Sequence, residues 1–430
     1  MGTISRRDLI VTGAVTAAGL STVAAAAKLP ARPAAAPDKL ATDESYWRQV
    51  AAQYDITRDV IQLENGNWGS MSQPVLAAYE QHQRRVNNHN SHYARREFPA
   101  DYQRVRARIA AALGASVEEI ALTRNATEAL QALIGSYNVL RPGDAVLYAD
   151  LDYDAMQMNM QWLAARRGVK VVKIDLPEPA SYQAVIDAYA AALEAHPQVR
   201  MMLLTHVSHR TGLLMPVQEI AELARRHQVD VVLDAAHAWG QVDFRLPALG
   251  VDFVGLNAHK WIGNAIGVGV MYIRRERINA IDPYMGDTAF PTGDIRARTH
   301  TGTSNFAAVL SAADALDFHE AIGTPAKEAR LRHMRDLWAE PLREHPEWEI
   351  LTPPDPRMHA GITSFRRHGR NGLQENIALA RRLLEEAKIF TVHRPGLASG
   401  ACVRVTPAVF NNPDEIARLL ATLSGPAARW

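Results

Sequence analysis

Between residues 120 and 275, short hydrophobic runs alternate with longer amphipathic segments. The short runs are rich in the β-branched residues that favour strands, and they are Ile120–Thr123, Ala145–Asp150, Val169–Leu176, Val199–Val207, Val229–Ala236, Phe253–Ala258 and Gly267–Arg275. The longer segments carry apolar residues at helical spacing, and they are Thr127–Val139, Tyr153–Arg167, Ser181–Ala195 and Pro216–Gln228. Helical crossovers between strands are typical of a parallel sheet. The pattern predicts a large α/β domain with a seven-stranded, mostly parallel sheet and helices on both faces.

After about residue 305 the pattern changes to two long helices followed by a short mixed segment. That segment predicts strands at Gly361–Arg367 and Ala401–Thr406 and helices at Leu373–Ala387 and Pro413–Leu423. We therefore expect a large domain over residues 44–305 and a smaller α+β domain over residues 306–430. Residues 44–60 are candidates for packing with the small domain.

The first 27 residues resemble a twin-arginine export signal. Arg6 and Arg7 precede an apolar run, Val11–Ala27, that is rich in Ala, Gly and Thr. A membrane anchor is the alternative, but a run of such small residues is weakly hydrophobic for a stable span. We expect cleavage of the signal near residues 24–27, followed by a linker over residues 28–43. The twin-arginine machinery would then export the protein, and the mature protein would be periplasmic without a stable membrane anchor.

Composition changes this picture in two ways. The 430 residues contain 47 Lys and Arg against 46 Asp and Glu, so no charge excess favours nucleic acid or an anionic membrane as a partner. A small molecule is the expected partner. Cys402 is the sole cysteine, which excludes an intrachain disulfide.

In open α/β sheets, ligands bind beyond the carboxyl ends of the strands. The first predicted strand is followed by Asn125, Ala126, Thr127 and Glu128, where the positive end of a helix and a hydroxyl group predict a phosphate site. An ordinary helix N-cap is the alternative. Tyr153 follows the second strand, where its ring can stack on an aromatic ligand or simply pack.

Asp234 ends a strongly apolar strand, and Lys260 follows the next strand 26 residues later. A carboxylate at that depth needs a cationic partner, and the protonated ring nitrogen of pyridoxal 5′-phosphate (PLP) is one. A structural Asp–Arg pair is the alternative. A lysine at the mouth of a sheet can lose its proton and form a Schiff base with an aldehyde. His259 lies beside Lys260, where it can bind phosphate.

The remaining candidates lie at two other strand ends. Ser208 and His237 can reach the phenolate oxygen or the near face of a PLP ring. Arg404, on a strand of the small domain, can grip a carboxylate with two parallel hydrogen bonds; a salt bridge between domains is the alternative. No metal is expected, because no carboxylate or cysteine completes a ligand set with the paired histidines, which are His206 and His209, and His89 and His92.

Taken together, these residues resemble those of the class V aminotransferases of PLP fold type I, and most closely the isopenicillin N epimerase-like branch. The resemblance covers residues 60–425. The matching stretches are Glu64–Gly69, Thr123–Leu130, Asp234–Ala238, His259–Trp261 and Val403–Pro407.

The resemblance implies PLP as the cofactor and a homodimer whose subunits share their active sites. Gly302 and Thr303 of one subunit would then complete the phosphate cup of the other. Tyr153 matches the ring-stacking position, and Asn67 matches a position that faces the substrate.

Two further expectations concern the branch of the family. Cysteine desulfurases use a cysteine on a mobile loop, and Met358–Gly361 in the corresponding region contains none, so this reasoning predicts that the chain is not a cysteine desulfurase. The export signal together with the fold is similar to the periplasmic PLP enzymes that modify pyoverdine siderophores.

The functional hypothesis is that an amine or amino-acid substrate displaces Lys260 from PLP and that Lys260 then removes the α-proton. Transamination, epimerisation and elimination all remain open, as does oxidative decarboxylation of a glutamyl group in the siderophore alternative. A non-enzyme alternative is an exported protein that binds PLP without turnover.

Overall fold

The computed structural model describes residues 31–425. Its strands, in chain order, are β1 (Ile61–Gln62), β2 (Ile120–Thr123), β3 (Ala145–Ala149), β4 (Lys170–Ile174), β5 (Val199–Thr205), β6 (Asp230–Asp234), β7 (Phe253–Asn257), β8 (Gly269–Ile273), β9 (Trp348–Ile350), β10 (Thr363–Arg367), β11 (Ile389–Phe390), β12 (Val392–Leu397) and β13 (Gly400–Val405).

The α-helices of the described residues fall between and around these strands. They are α1 (Pro37–Ala41), α2 (Glu44–Ala51), α3 (Gln73–Arg96), α4 (Phe98–Leu113), α5 (Ala126–Ser136), α6 (Asp154–Arg167), α7 (Tyr182–Ala195), α8 (Val217–Arg226), α9 (Phe306–Ile322), α10 (Thr324–Arg343), α11 (Leu373–Ala387) and α12 (Pro413–Leu423).

The large sheet contains seven strands in the order β2-β8-β7-β6-β5-β3-β4. Only β8 runs antiparallel to its neighbours, so the predicted fold class is confirmed. Strands β5 to β8 are almost wholly buried, because helices cover both faces of the sheet. That burial explains their near-continuous apolar sequences. The carboxyl ends of β3, β5, β6 and β7 share one edge of the sheet.

The small domain contains an antiparallel sheet in the order β12-β13-β10-β9. A separate hydrophobic core beside it includes Trp338, Trp348 and Phe365. The N-terminal part of the chain contributes here, since β1 pairs in parallel with β11. Helix α9 packs mainly on α3 and α4, whereas α10 packs on α1, α12 and β9.

The predicted linker over residues 28–43 is only partly a linker. Helix α1 lies within it, packs on α10 and buries Leu40, which is 1% exposed. The Leu40 carbonyl accepts a hydrogen bond from Trp47 Nε1 at 2.7 Å, and the Ala41 carbonyl accepts one from Arg330 Nη1 at 2.9 Å. An alanine- and proline-rich composition concealed this packing, because a single leucine supplies most of it.

The export signal over residues 1–27 lies outside the described residues, as do residues 28–30 of the linker. Among the helices of residues 31–425, none combines the length and the apolar character needed to cross a bilayer.

Candidate active site

A cavity of about 490 Å³ lies at the carboxyl edge of the large sheet, a volume typical of small-molecule sites. Most of the residues singled out from the sequence meet there. The cavity is lined by Asn67, Ala126, Thr127, Tyr153, Asp234, His237, His259, Lys260, Thr303 and Arg404.

Lys260 follows β7 and points into this cavity. Its Nζ lies 3.0 Å from His237 Nε2. Burial lowers the pKa of Lys260 to about 8, although the nearby Asp234 carboxylate opposes that shift. The pKa of His237 also falls well below its ordinary value because of burial, so the imidazole is neutral and its Nε2 can accept a hydrogen bond from the Lys260 amine.

Asp234 ends β6 and is 5% exposed. Its Oδ1 accepts a hydrogen bond from the Ala236 N–H at 2.9 Å. Burial raises the pKa of this carboxyl group, and Lys260 counteracts the rise. Among the ion pairs of residues 31–425, none includes Asp234. A buried carboxylate without a cationic partner fits a ligand that brings a protonated nitrogen.

The predicted phosphate site lies at the N-terminus of α5. Asn125 caps this helix, since its Oδ1 accepts a hydrogen bond from the Glu128 N–H at 2.9 Å. The Ala126 N–H donates to Asn257 Oδ1 at 2.8 Å and is therefore already engaged. Thr127, which also lines the cavity, is the better placed of the two for an anion at the positive helix end.

His259 lines the same end of the cavity with one ring nitrogen already used. Its Nδ1 lies 3.2 Å from the Val268 carbonyl oxygen, which can only accept, so Nδ1 carries the proton. Burial lowers the pKa of His259 to about 4, which leaves Nε2 as an acceptor. His259 can donate a hydrogen bond to phosphate only if the anion itself raises that pKa.

Tyr153 and His209 form one wall of the cavity. Their ring centroids lie 5.2 Å apart at an interplanar angle of 87°. Tyr153 is 38% exposed, which leaves part of its ring available to a ligand. The His209 Nδ1 is buried without a hydrogen-bond partner among the described residues.

Among three further predicted residues, Ser208 lies elsewhere than expected. Ser208 is buried in a turn, where its Oγ accepts a hydrogen bond from the Arg210 N–H at 3.2 Å, and it does not line the cavity. Thr303 lines the cavity of its own chain, whereas the resemblance assigned it, with Gly302, to the cavity of a second subunit. Gly302 is absent from the lining and has a φ of 60°.

Arg404 is at the cavity as predicted, but its guanidinium already has partners. Its Nη2 lies 2.5 and 2.8 Å from the two carboxylate oxygens of Glu64. Its Nη1 donates to the His209 carbonyl oxygen at 2.7 Å. The structural salt bridge that was weighed as the alternative is therefore present.

The sequence reasoning missed several residues of the lining. Thr205 ends β5, and Val207 and His209 follow it, so the strand-end rule that found Asp234 applies to them as well. Arg394 carries no such signal, because it lies in the middle of an edge strand of the small domain. The further missed residues are Gly66, Arg124, Leu130, Ala236, Asn257, Ile266, Gly267, Ser304 and Asn305, whereas Asn125 belongs to the segment predicted to bind phosphate.

These side chains fit PLP. Asp234 can hold the ring nitrogen, Lys260 can bond to the aldehyde carbon, and the N-terminus of α5 can hold the phosphate. Tyr153 and Ala236 offer contacts for the ring. The cavity also has buried ring nitrogens without partners among the described residues, on His209 and His237.

Comparison with known proteins agrees with this assignment. The sequence profile described as "Aminotransferase class-V" matches residues 70–419. An isopenicillin N epimerase from Streptomyces clavuligerus is 27% identical over 401 residues, which cover 88% of this chain and 97% of that protein. A solved structure of a C-DES variant with glycine covalently linked to its PLP cofactor matches with a TM-score of 0.73 at 22% identity, covering 86% of this chain and 97% of the other.

The prediction that separated this chain from the cysteine desulfurases was wrong. A probable cysteine desulfurase from Xylella fastidiosa strain 9a5c is 26% identical over 85% of this chain and 90% of its own length. Further relatives carry the same description. The prediction relied on residues 358–361, but the structure buries Met358 and His359 away from the cavity. The small-domain strands that border the cavity are β12 and β13, which carry Arg394 and Arg404.

Proposed function

Because this chain belongs to the class V aminotransferase family of PLP-dependent enzymes, we propose that it removes the α-proton of an amino acid or of a molecule that contains an amino-acid group. The observation that carries this proposal is the position of Lys260. Its amine lies 3.0 Å from a neutral histidine and close to the buried Asp234 carboxylate, so it can act both as a nucleophile and as a base.

PLP, when bound, supplies an aldehyde that condenses with amines and a ring that withdraws electrons. Asp234 favours the protonated form of the ring nitrogen, because a buried carboxylate stabilises a cation beside it. His237 accepts a hydrogen bond from Lys260 and so orients its amine. With a pKa of about 8, Lys260 is about one-tenth deprotonated at pH 7, and the deprotonated amine is the form that accepts the α-proton.

The first test is the absorbance spectrum of the purified protein with PLP, for the wild type and for Lys260→Ala. We expect a visible band in the wild type that borohydride abolishes, leaving the reduced cofactor attached to the protein after denaturation, and no such covalent product in the variant. A wild-type protein that binds no PLP would contradict the proposal.

The second test measures α-proton removal directly. The PLP-loaded protein is incubated in D₂O with a panel of L-amino acids, and loss of the α-proton signal is followed by ¹H NMR. We expect exchange with at least one amino acid, and none with Lys260→Ala. Spectral binding of amines without exchange for any member of the panel would favour the non-enzyme alternative.

Two groups of relatives favour different overall reactions after α-proton removal. The isopenicillin N epimerases favour return of the proton to the opposite face of the α-carbon. The probable cysteine desulfurases favour cleavage of a carbon–sulfur bond. Chiral chromatography of the NMR samples detects the first reaction, and sulfide release from L-cysteine in the presence of a thiol reductant detects the second. Formation of a 2-oxo acid without release of ammonia would instead identify transamination, because β-elimination yields a 2-oxo acid together with ammonia.

We also propose that the chain is exported through the twin-arginine pathway, which rests on Arg6 and Arg7 before an apolar run of small residues. The matched variant Arg6→Lys/Arg7→Lys keeps the charge and should leave the protein in the cytoplasmic fraction. Accumulation of that variant in the periplasm would contradict the proposal. A pyoverdine-type peptide with a free glutamyl amine, added to the substrate panel, tests the siderophore alternative.

A further inference from the structure

We propose that a second, small cavity beside the Lys260 loop binds a monovalent anion of the size of chloride, held by the ammonium group of Lys327. This cavity has a volume of about 30 Å³, and its lining includes Lys260, Trp261 and Lys327. We call it the Lys327 cavity. The inference goes beyond the proposed function, because it concerns a site outside the PLP cavity.

Lys327 is a buried cation without a carboxylate partner. It lies on α10 and is 6% exposed, and it takes part in no ion pair within residues 31–425. Every arginine of the same helix does pair with a carboxylate, namely Arg330, Arg332, Arg335 and Arg343. Burial lowers the pKa of Lys327 to about 7, and no neighbouring negative charge opposes the shift. A buried ammonium group needs a counter-charge to stay protonated.

The charges of the lining leave room for that counter-charge. Among the described residues that line the Lys327 cavity, two are lysines and none is an aspartate or a glutamate. The Nζ of Lys260 lies beside His237 in the active-site cavity instead, so Lys327 is the cation that this lining presents. His319, its titratable neighbour, has a pKa well below the ordinary value because of burial and adds no charge. One negative charge would balance the site.

The hydrogen-bonding groups also lack an acceptor. An ammonium group has three N–H donors, and the described residues accept one from Lys327, at the Trp261 carbonyl oxygen. The Trp261 Nε1 is buried without a partner among the described residues, and an indole N–H can only donate. A halide ion accepts hydrogen bonds from several donors at once and supplies the missing charge. A water molecule would accept from the same donors but would leave the ammonium charge uncompensated.

The size of the cavity limits the class of anion. A water molecule needs about 10–15 Å³ of such space, so the 30 Å³ of the Lys327 cavity suit one chloride or bromide ion and exclude a phosphate ester or an amino acid. Because Trp261 directly follows Lys260, a bound ion would fasten the Lys260 loop to α10 of the small domain.

The test measures chloride binding by the protein saturated with PLP, so that its phosphate site is filled. Titration followed by ³⁵Cl NMR line broadening gives the affinity, and bromide serves as the competitor. Lys327→Met keeps the length of the side chain but removes the charge, and Trp261→Phe removes the indole N–H. Lys173→Met is the matched control, because the Lys173 side chain is 48% exposed on β4. Other cationic groups attract chloride as well, so the component that depends on Lys327 is the one that counts.

We expect Lys327→Met to weaken this chloride binding by at least about tenfold, since it removes a hydrogen bond between two charged groups. Trp261→Phe should cause a smaller loss, and Lys173→Met should bind within about twofold of the wild type. Crystals of the wild type soaked in bromide should show an anomalous peak in contact with Lys327 Nζ.

Two results would overturn the inference. One is a Lys327→Met variant that binds chloride as the wild type does. The other is a bromide-soaked crystal in which the Lys327 cavity holds water only, which would mean that Lys327 is neutral. Should Lys327→Met not fold, the Trp261→Phe titration and the bromide position in the wild type decide the matter. The measurements require no turnover, so their outcome is independent of the proposed function.

Discussion

Asp234 is buried and Lys260 is half-buried where it enters the cavity, and desolvation moves both pKa values towards the neutral forms. Each partly opposes the shift of the other. We expect Asp234→Asn to retain the shape of the site but to lose the charge that favours a protonated ring nitrogen. A hydrogen bond to a charged group contributes about 1.5–3 kcal/mol, so the rate of α-proton exchange should fall by roughly ten- to 150-fold.

The measurement is exchange in D₂O under saturating PLP. Asp175→Asn, a change of the same type on the exposed end of β4, is the control. An Asp234→Asn variant that exchanges as fast as the control would show that the carboxylate has no such role.

The lowered pKa of Lys260 predicts a pH dependence. Only the neutral amine attacks an aldehyde, so the rate of covalent capture of PLP should increase with pH and level off above pH about 8. An unperturbed lysine, with a pKa of about 10.4, would continue to accelerate beyond that point. Stopped-flow absorbance across this pH range measures the rate. A profile that still increases steeply between pH 9 and 10 would mean that burial does not govern this amine.

Individual site residues could be predicted from the sequence where a charged side chain stands at the end of an apolar strand. Asp234 and Lys260 could be found because a charged side chain directly after a buried strand has few structural uses. The Glu64–Arg404 pair could not be found in the same way, because its partners lie 340 residues apart in sequence. A guanidinium that is free and one that is paired look identical in sequence.

Among the secondary-structure elements, α5 determines the phosphate end of the cavity, and its position depends on Gly269. A Cβ atom at that position would lie 2.5 Å from Asn125 Cα, at the cap of the helix. Gly269→Ala should therefore displace the cap, with a loss of about 1–3 kcal/mol in stability and weaker binding of PLP. Chemical denaturation and a PLP titration measure the two effects.

Gly135→Ala is the matched control for that substitution. Gly135 lies inside α5, and its nearest neighbour would be a Trp162 ring atom at 4.0 Å. Alanine there should stabilise the helix by up to about 1 kcal/mol and leave PLP binding unchanged. Equal effects of the two substitutions would show that the close approach at Gly269 is unimportant.

The large-domain elements could be predicted because seven short apolar strands and four longer amphipathic crossovers repeat one pattern. The small domain was harder. Its strand β9 has three residues and β11 has two, which is too short for a period of two to be recognised. Strand β1 pairs with β11 across more than 300 residues of sequence, so its role is decided by tertiary contact and not by local pattern.

At the scale of the whole molecule, helix α1, which precedes α3, packs on α10 of the small domain. Leu40 is 1% exposed in the hydrophobic core that also contains Leu331 of α10, and large-to-small changes at such positions cost about 2–5 kcal/mol. We expect Leu40→Ala, or a truncation that begins at residue 44, to lower the midpoint of urea unfolding. A truncation that begins at residue 31 should leave it unchanged. Equal midpoints for the two truncations would indicate that α1 does not contribute to stability.

The surface around the cavity bears on the predicted homodimer. Trp68 and Ile266 are 53% and 59% exposed. Trp68 adjoins the cavity-lining Asn67, and Ile266 lines the cavity itself. Large exposed apolar side chains beside a functional site are typical of a surface that a partner covers, and in a symmetric dimer the same patch would meet its own copy.

We therefore expect light scattering to give twice the mass of the mature chain. Trp68→Lys with Ile266→Lys should shift the protein towards the monomer, because two charges would be buried without partners. The exposed Leu373, which begins α11 in the small domain, supplies the control as Leu373→Lys. A monomer that retains full α-proton exchange would show that each chain has a complete active site. Thr303 would then act in the cavity of its own chain, where the structure places it.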